Sequence, residues 1–285
     1  MIGEDRQITE GFFPLHSALF TLHWLTAAMD TKILIAIHKP YWVPSDPVYF
    51  PLQVGAEGKA SLGFAGDNTG DNISSKNPNY CELTGLYWAW KNLECDNIGL
   101  CHYRRYFGHR VRSNNLEDKK KAIFTQADYE KLLGQYDVIL PVKRNYYIET
   151  VRSQYEHAHY KKDLDEVEKI IAEKYPEYSQ AFTTVMNRRK LHILNMFAMK
   201  KTLFDQYCSW LFDILFTLES RIDITSYSPY EARIYGFLSE RLFNVWLEKQ
   251  HLKEVEVPVI FLERVDWPKK IREFLARKFL GKKNQ

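Results

Sequence analysis

The chain predicts an α/β protein with a central, mostly parallel sheet and a helical C-terminal part. Three observations carry that expectation. Residues 33–37, Ile-Leu-Ile-Ala-Ile, are continuously apolar, as a strand covered on both faces must be. Residues 98–101 form a second buried run, and it ends abruptly in His102-Tyr103-Arg104-Arg105-Tyr106. Residues 203–221 and 230–250 carry apolar side chains at helical spacing.

Composition sets the frame. A length of 285 residues suits one large domain, or one with a small helical appendage. The net charge of +3 is too small to suggest a nucleic-acid partner. Cys81, Cys95, Cys101 and Cys208 show no paired spacing, so they read as apolar fillers in a reducing compartment.

The order of elements follows. Residues 1–28 begin acidic (Glu4, Asp5, Glu10) and continue in an apolar run broken by Pro14, His16 and His23. The charge sign is wrong for a secretory signal, and the run is short and interrupted for a membrane span. Met29-Asp30-Thr31-Lys32 reads like a protein start. We therefore expect residues 1–28 to be an extension outside the fold, with a peripheral hydrophobic anchor as the other reading. A single domain is expected over 29–262, and a basic amphipathic tail over 263–285.

His38-Lys39-Pro40 ends the first strand, where α/β proteins often place a nucleotide base and ribose; a turn set by Pro40 explains the same residues. Residues 41–80 are loop-rich. Within them, Asp71 and Asn72 belong to a run that either binds sugar hydroxyls or caps turns. Residues 80–93 turn helical, with Leu83, Leu86, Tyr87 and Trp90 on one core-facing side and Glu82 and Thr84 in the first turn. Arg104 and Arg105, just past a strand end, form a clamp suited to a diphosphate, or else pair with surface carboxylates.

Residues 128–134 form a short helix and 136–141 a strand closed by Pro141. Asp137 there is either a metal or sugar ligand or a polar strand flank. His157 and His159 are two apart, a poor spacing for one helical metal site, and contact with a sugar suits them better. Residues 163–175 form an amphipathic helix, and 191–199, which include Asn195, are strand-like. In 230–250, Glu240 and Arg233 are the candidate functional residues, Glu240 as a general base, with an ion pair of Glu240 to Arg241 or Arg233 as the plainer alternative. Residues 255–262 make an edge strand. The tail beyond places Ile271, Phe274, Leu275 and Phe279 on one helical face among bases, which suits an anionic membrane surface or a solvated tail.

No dinucleotide glycine motif, phosphate loop, nucleophile elbow or zinc-protease motif is present. An Asp-x-Asp at a strand end is also missing.

Several blocks occur together in order: Gly70-Asp71-Asn72-Ile73-Ser74, Tyr80-Cys81-Glu82-Leu83-Thr84, Tyr87-Trp88-Ala89-Trp90-Lys91-Asn92, and Ile98-Gly99-Leu100-Cys101-His102-Tyr103-Arg104-Arg105-Tyr106-Phe107. Asp137-Val138-Ile139-Leu140-Pro141, Asn195-Met196-Phe197 and Gly236-Phe237-Leu238-Ser239-Glu240-Arg241-Leu242 follow. Together they resemble a bacterial family first catalogued as a domain of unknown function. Its members are assigned to capsular or exopolysaccharide biosynthesis, some as galactofuranosyltransferases. The likeness runs from about Met29 to near Gln250, and the His-Tyr-Arg-Arg-Tyr block is its most specific part.

That resemblance implies a GT-A-like, nucleotide-sugar-binding glycosyltransferase using a UDP-sugar, with galactofuranose transferred by inversion. It implies donor contacts from His38, Asp71, Asn72, Glu82, Thr84, His102, Arg104 and Arg105, acceptor contacts from His157, His159 and Asn195, and a base in Glu240 or Asp137. The acceptor is expected to be a surface polysaccharide or a polyprenyl-diphosphate-linked glycan. No cofactor is required; Mn or Mg fits the commonest GT-A pattern but lacks its Asp-x-Asp here. The expected location is cytoplasmic, at the inner face of the cell membrane through the basic tail. A non-catalytic polysaccharide-binding scaffold is the alternative, and a nucleotide-sugar hydrolase a third reading.

Overall fold

Strand β1 (Thr31–Ile37) is the interior strand around which the sheet is laid. Its two faces feed two separate cores: Leu34 and Ala36 point into one, Ile33, Ile35 and Ile37 into the other. β2 (Tyr49–Gln53) and β4 (Asn97–His102) flank β1 in parallel, and β3 (Ala65–Gly66) extends the sheet beyond β2. On the other side the order continues through β9 (Phe197–Lys200), β6 (Val138–Pro141) and β10 (Glu254–Val257). Only β9 in this row runs against β1. β5 (Arg105–Phe107) folds back on β4, and β11 (Val259–Phe261) pairs with β5. A small separate ribbon joins β7 (Arg144–Asn145) to β8 (Lys190–Leu191). The computed structural model describes residues 29–263. The extension at 1–28 and the tail from 264 lie outside the described residues.

Helices α1 (Asn77–Tyr80), α2 (Leu83–Asn92), α5 (Val151–Ala158), α6 (Lys161–Lys174), α7 (Ser179–Asn187), α8 (Lys201–Arg221) and α9 (Ile234–Gln250) contribute to the larger core. Around the other face lie α3 (Leu116–Lys121) and α4 (Gln126–Leu133), the latter through Tyr129 and Leu133. α8 shows why the C-terminal half is helical: Phe204, Tyr207, Leu211, Ile214, Leu215 and Leu218 are all buried on its inner side. Each such side chain contributes roughly 1.5–3 kcal/mol relative to exposure. Among the described residues, no helix is long and apolar enough to cross a membrane.

Three predicted elements are divided. The 80–93 helix breaks at Cys81, whose φ of 55° lies in the left-handed region, and the Asn77 side chain donates to the Cys81 carbonyl there. The 191–199 run becomes β8, a turn, and β9. The 255–262 strand splits at Pro258, which cannot donate to a ladder; β10 pairs with β6 and β11 with β5.

The loop-rich 41–80 stretch is organised by Asp67, which is fully buried. Its carboxylate accepts hydrogen bonds from the backbone N–H of Gly55 and Ala56 and from the hydroxyls of Ser74 and Thr84. Asp67→Ala would leave these donors unpaired and should destabilise the fold by about 3 kcal/mol or more. Asp71→Ala, at an exposed turn, should cost less than about 1 kcal/mol. Urea unfolding of the two variants checks the contrast.

Candidate active site

β1 has β2 on one side and β4 on the other, so their carboxyl ends open a crevice where the chain reverses its direction of travel across the sheet. A cleft of about 470 Å3 lies there. It is bordered by His38 after β1, by His102 and the Tyr103-Arg104-Arg105 hairpin after β4, and by Cys81, Glu82, Arg233 and Glu240. A second hollow of about 280 Å3 adjoins it and shares Leu194, Phe237 and Glu240.

The junction is a backbone turn. Leu194 and Asn195 have φ of 81° and 51°, both left-handed and neither glycine. The Leu194 N–H donates to Glu240 Oε1 at 2.8 Å, and the Leu194 carbonyl accepts from His102 Nε2 at 2.7 Å. A carbonyl only accepts, so His102 carries its proton on Nε2. The Asn195 side chain donates to Glu82 Oε1 at 2.8 Å and accepts from the Ser239 hydroxyl at 3.1 Å. Gly236 lets this wall close: a Cβ there would sit 3.2 Å from the Cys81 Sγ.

Burial, opposed by Arg241, holds the Glu240 carboxyl above the ordinary carboxylate range. Its Oε2 accepts from Arg241 Nη1 at 3.1 Å, and its side chain keeps 22% exposure. Burial pushes His102 below the usual imidazole range, the Glu82 charge opposing, so this ring is neutral at neutral pH.

The arginine pair sits on a hairpin, where His102 and Arg105 are register partners. Arg104 Nη1 is paired with Glu263 Oε2 at 2.6 Å. The Arg105 guanidinium is half-buried and, among the described residues, has no hydrogen bond or ion pair. Arg233 adds a third guanidinium and donates from Nε to the Cys81 Sγ at 3.1 Å. The N-terminal ends of α2 and α9 border the same cleft, which favours an anion.

His38, Glu82, His102, Arg104, Arg105 and Glu240 are thus brought together in the cleft. His157 and His159 line the hollow, and Asn195 lies at the junction. His159 is buried, hydrogen-bonded to Glu231 and stacked on Phe237. Four of the expected residues stand elsewhere. Asp137 stands at the start of β6, on the sheet edge opposite the cleft, and accepts from the Lys253 N–H. Asp71 is tied to Asn92 and Tyr87, and Asn72 closes its own turn through Gly70 and Ser74. Thr84 is buried on Asp67. These last three lie outside both cavities because their polar groups cap turns.

Among the described residues, no group of three His, Cys, Asp or Glu side chains could hold a metal ion. The Asp163-Leu164-Asp165 triplet lies on α6, with Asp163 bound to Tyr227 and Asp165 to Arg152 and Lys161.

Sequence reasoning passed over Cys81, Arg144, Tyr146, Glu149, Gln154 and Tyr230 as lining residues. It weighed Arg241 only as a partner for Glu240, and it noticed Arg233 without placing it in the cleft. The Arg144-Asn145-Tyr146 stretch after a strand end was the available signal.

Fold and cleft together define a GT-A-like α/β protein whose ligand crevice lies at the carboxyl edge of a mostly parallel sheet. The chain belongs to the family described as Domain of unknown function (DUF4422), which matches residues 32–251. It is similar to the apo structure of the WbbM bifunctional glycosyltransferase, at 33% identity and a TM-score of 0.77. That match covers 82% of this chain and 46% of the WbbM chain, so this chain spans less than half of that protein. No curated protein matches. The family is the one toward which the His-Tyr-Arg-Arg-Tyr block pointed.

A carboxyl whose folded pKa lies above its unfolded value favours folding in its protonated form, and that contribution fades as pH rises through the folded value. Relative to a Glu240→Gln variant, the native chain should therefore lose stability as pH rises above the ordinary carboxyl value of 4.5 and through the raised folded one. Urea midpoints across that range check it; a constant difference would contradict the raised value.

Proposed function

We propose that the chain is a glycosyltransferase that moves a sugar, galactofuranose in our reading, from a UDP-sugar to a surface-polysaccharide or lipid-linked glycan acceptor, with inversion. The observation that carries this reading is the Arg105 guanidinium, unpaired among the described residues, beside Arg104 and Arg233 in a crevice at the sheet's switch point. Three guanidiniums and two helix N-termini supply the positive field that a departing diphosphate needs. The similarity to a glycosyltransferase supports the same reading.

Inversion needs one base on the face opposite the leaving group. Glu240 borders both cavities, so it can meet an acceptor in the hollow while a donor fills the cleft. Each of its oxygens already accepts one hydrogen bond and keeps a further lone pair. The acceptor hydroxyl gives its proton to Glu240 as its oxygen attacks the anomeric carbon. The bond from that carbon to the diphosphate oxygen breaks, and the electron pair leaves with the diphosphate onto the arginines. A carboxyl with a raised pKa is better matched to this work near neutral pH. No step is routed through a metal. We further propose a peripheral site at the inner membrane face, with the basic tail as the anchor.

Arg105→Ala should weaken UDP binding by at least tenfold in calorimetry, and Arg104→Ala should abolish transfer with the fold intact. A native protein that gives no heat with UDP would instead favour a polysaccharide-binding scaffold. Glu240→Gln should lower kcat about a hundredfold or more with UDP affinity little changed. An active Glu240→Gln enzyme would remove Glu240 from the base role.

A further inference from the structure

We infer that the hollow beside Glu240 is a subsite for one uncharged sugar ring, the terminal residue of a neutral glycan acceptor. The inference rests on the transferase reading for its role, but the binding it predicts is measurable without any transfer.

A sugar ring has apolar C–H faces and a rim of hydroxyls, each both donor and acceptor. Its site therefore needs aromatic surface together with spare polar atoms of both kinds. The hollow has the aromatic surface in Tyr146, Tyr230 and Phe237. Tyr230 and Phe237 lie 5.2 Å apart in a tilted pair, and the His159 ring, also on the wall, is stacked 4.1 Å from Phe237.

It also has the spare atoms. His157 is 58% exposed, and its Nδ1 lies 2.7 Å from the buried Glu149 carboxylate. That carboxylate accepts from the ring at Nδ1, which leaves Nε2 to meet a sugar hydroxyl. Gln154 gives its Oε1 to Arg241 Nη2 at 2.6 Å, which leaves the amide N–H groups as donors. Arg241 is only 3% exposed and holds the Gln154 amide in place.

Charge decides the class of sugar. The hollow is lined by two cations, Arg144 and Arg241, and two carboxylates, Glu149 and Glu240. Arg241 is already paired with Glu240, and Arg144 lies over the Tyr146 ring. The balance is near zero, whereas the neighbouring cleft carries three arginines against Glu82 and Glu240. A uronic acid or phosphorylated sugar placed here would face Glu149 and Glu240 with little net positive charge to compensate.

The test uses the full chain and a panel of methyl glycosides of neutral hexoses, with the methyl glycoside of galacturonic acid as the charged counterpart. Saturation-transfer NMR is recorded with and without UDP, and UDP binding is followed separately by calorimetry. At least one neutral glycoside should bind. His157→Ala and Tyr230→Ala should each weaken that binding about fivefold while UDP still binds. His157 is exposed, so its variant keeps the test sound if the Tyr230 variant misfolds. Three results would overturn the inference: no neutral glycoside binding, binding of the uronide alone, or binding indifferent to both substitutions. Absence of UDP binding would count against the transferase reading instead, and the glycoside data would still decide the hollow.

Discussion

The left-handed turn at Leu194 and Asn195 is the constraint on which the rest of the cleft depends. Two consecutive non-glycine residues in that conformation cost roughly 1–2 kcal/mol each. Four side chains offset this: Glu240 takes the Leu194 N–H, His102 donates to its carbonyl, and Glu82 and Ser239 hold the Asn195 amide. Bonds to charged groups are worth about 1.5–3 kcal/mol each, so the carboxylates alone can outweigh the strain. The turn is therefore a product of the polar cluster, and the cluster's geometry is fixed by the turn. Elements distant in sequence, β4, the start of α2 and α9, are locked to one another through two residues of backbone.

This explains why the two cavities differ in character while sharing a wall. The turn and Glu240 stand between them. On one side the β4–β5 hairpin and the ends of two helices concentrate positive charge. On the other, opposite charges are largely spent on each other, as in Arg241 with Glu240. A shared carboxylate held above its ordinary pKa range then faces an anion-attracting space and a neutral one at once.

The sheet was legible in the sequence because β1 and the strand before the arginines are apolar on both faces, and only a covered sheet explains that. The cleft's basic half followed from Arg104 and Arg105 standing at a strand end. What local sequence left undecided has a common cause. Asp137 flanks a strand, but local sequence does not say which edge of the sheet that flank reaches; here it is the starting edge. Asp71, Asn72 and Thr84 carry atoms that bind sugars or cap turns equally well, and only the buried Asp67, joined to residues up to seventeen positions away, shows which. The 191–199 run reads as one strand because its side chains are strand-forming; the break is imposed by Glu240 and His102, distant in the chain. Glu149 and Gln154 belong to the hollow only after α5 is docked against α9.

The two arginines of the hairpin are not equivalent, and the difference bears on how an anion enters. Arg104 holds Glu263 at 2.6 Å near the surface, whereas Arg105 is half-buried with no carboxylate partner. Burial, reinforced by the neighbouring Arg104 charge, lowers the Arg105 pKa while Glu82 and Glu240 oppose it, yet a guanidinium remains charged. A half-buried cation with no carboxylate partner among the described residues gains most when an anion arrives, so Arg105 supplies the stronger pull. At Arg104 an incoming phosphate replaces one anion with another, and the exposed pair it displaces is worth at most about 1 kcal/mol. Diphosphate binding at this edge would therefore draw its affinity chiefly from Arg105 and use Arg104 to orient the group.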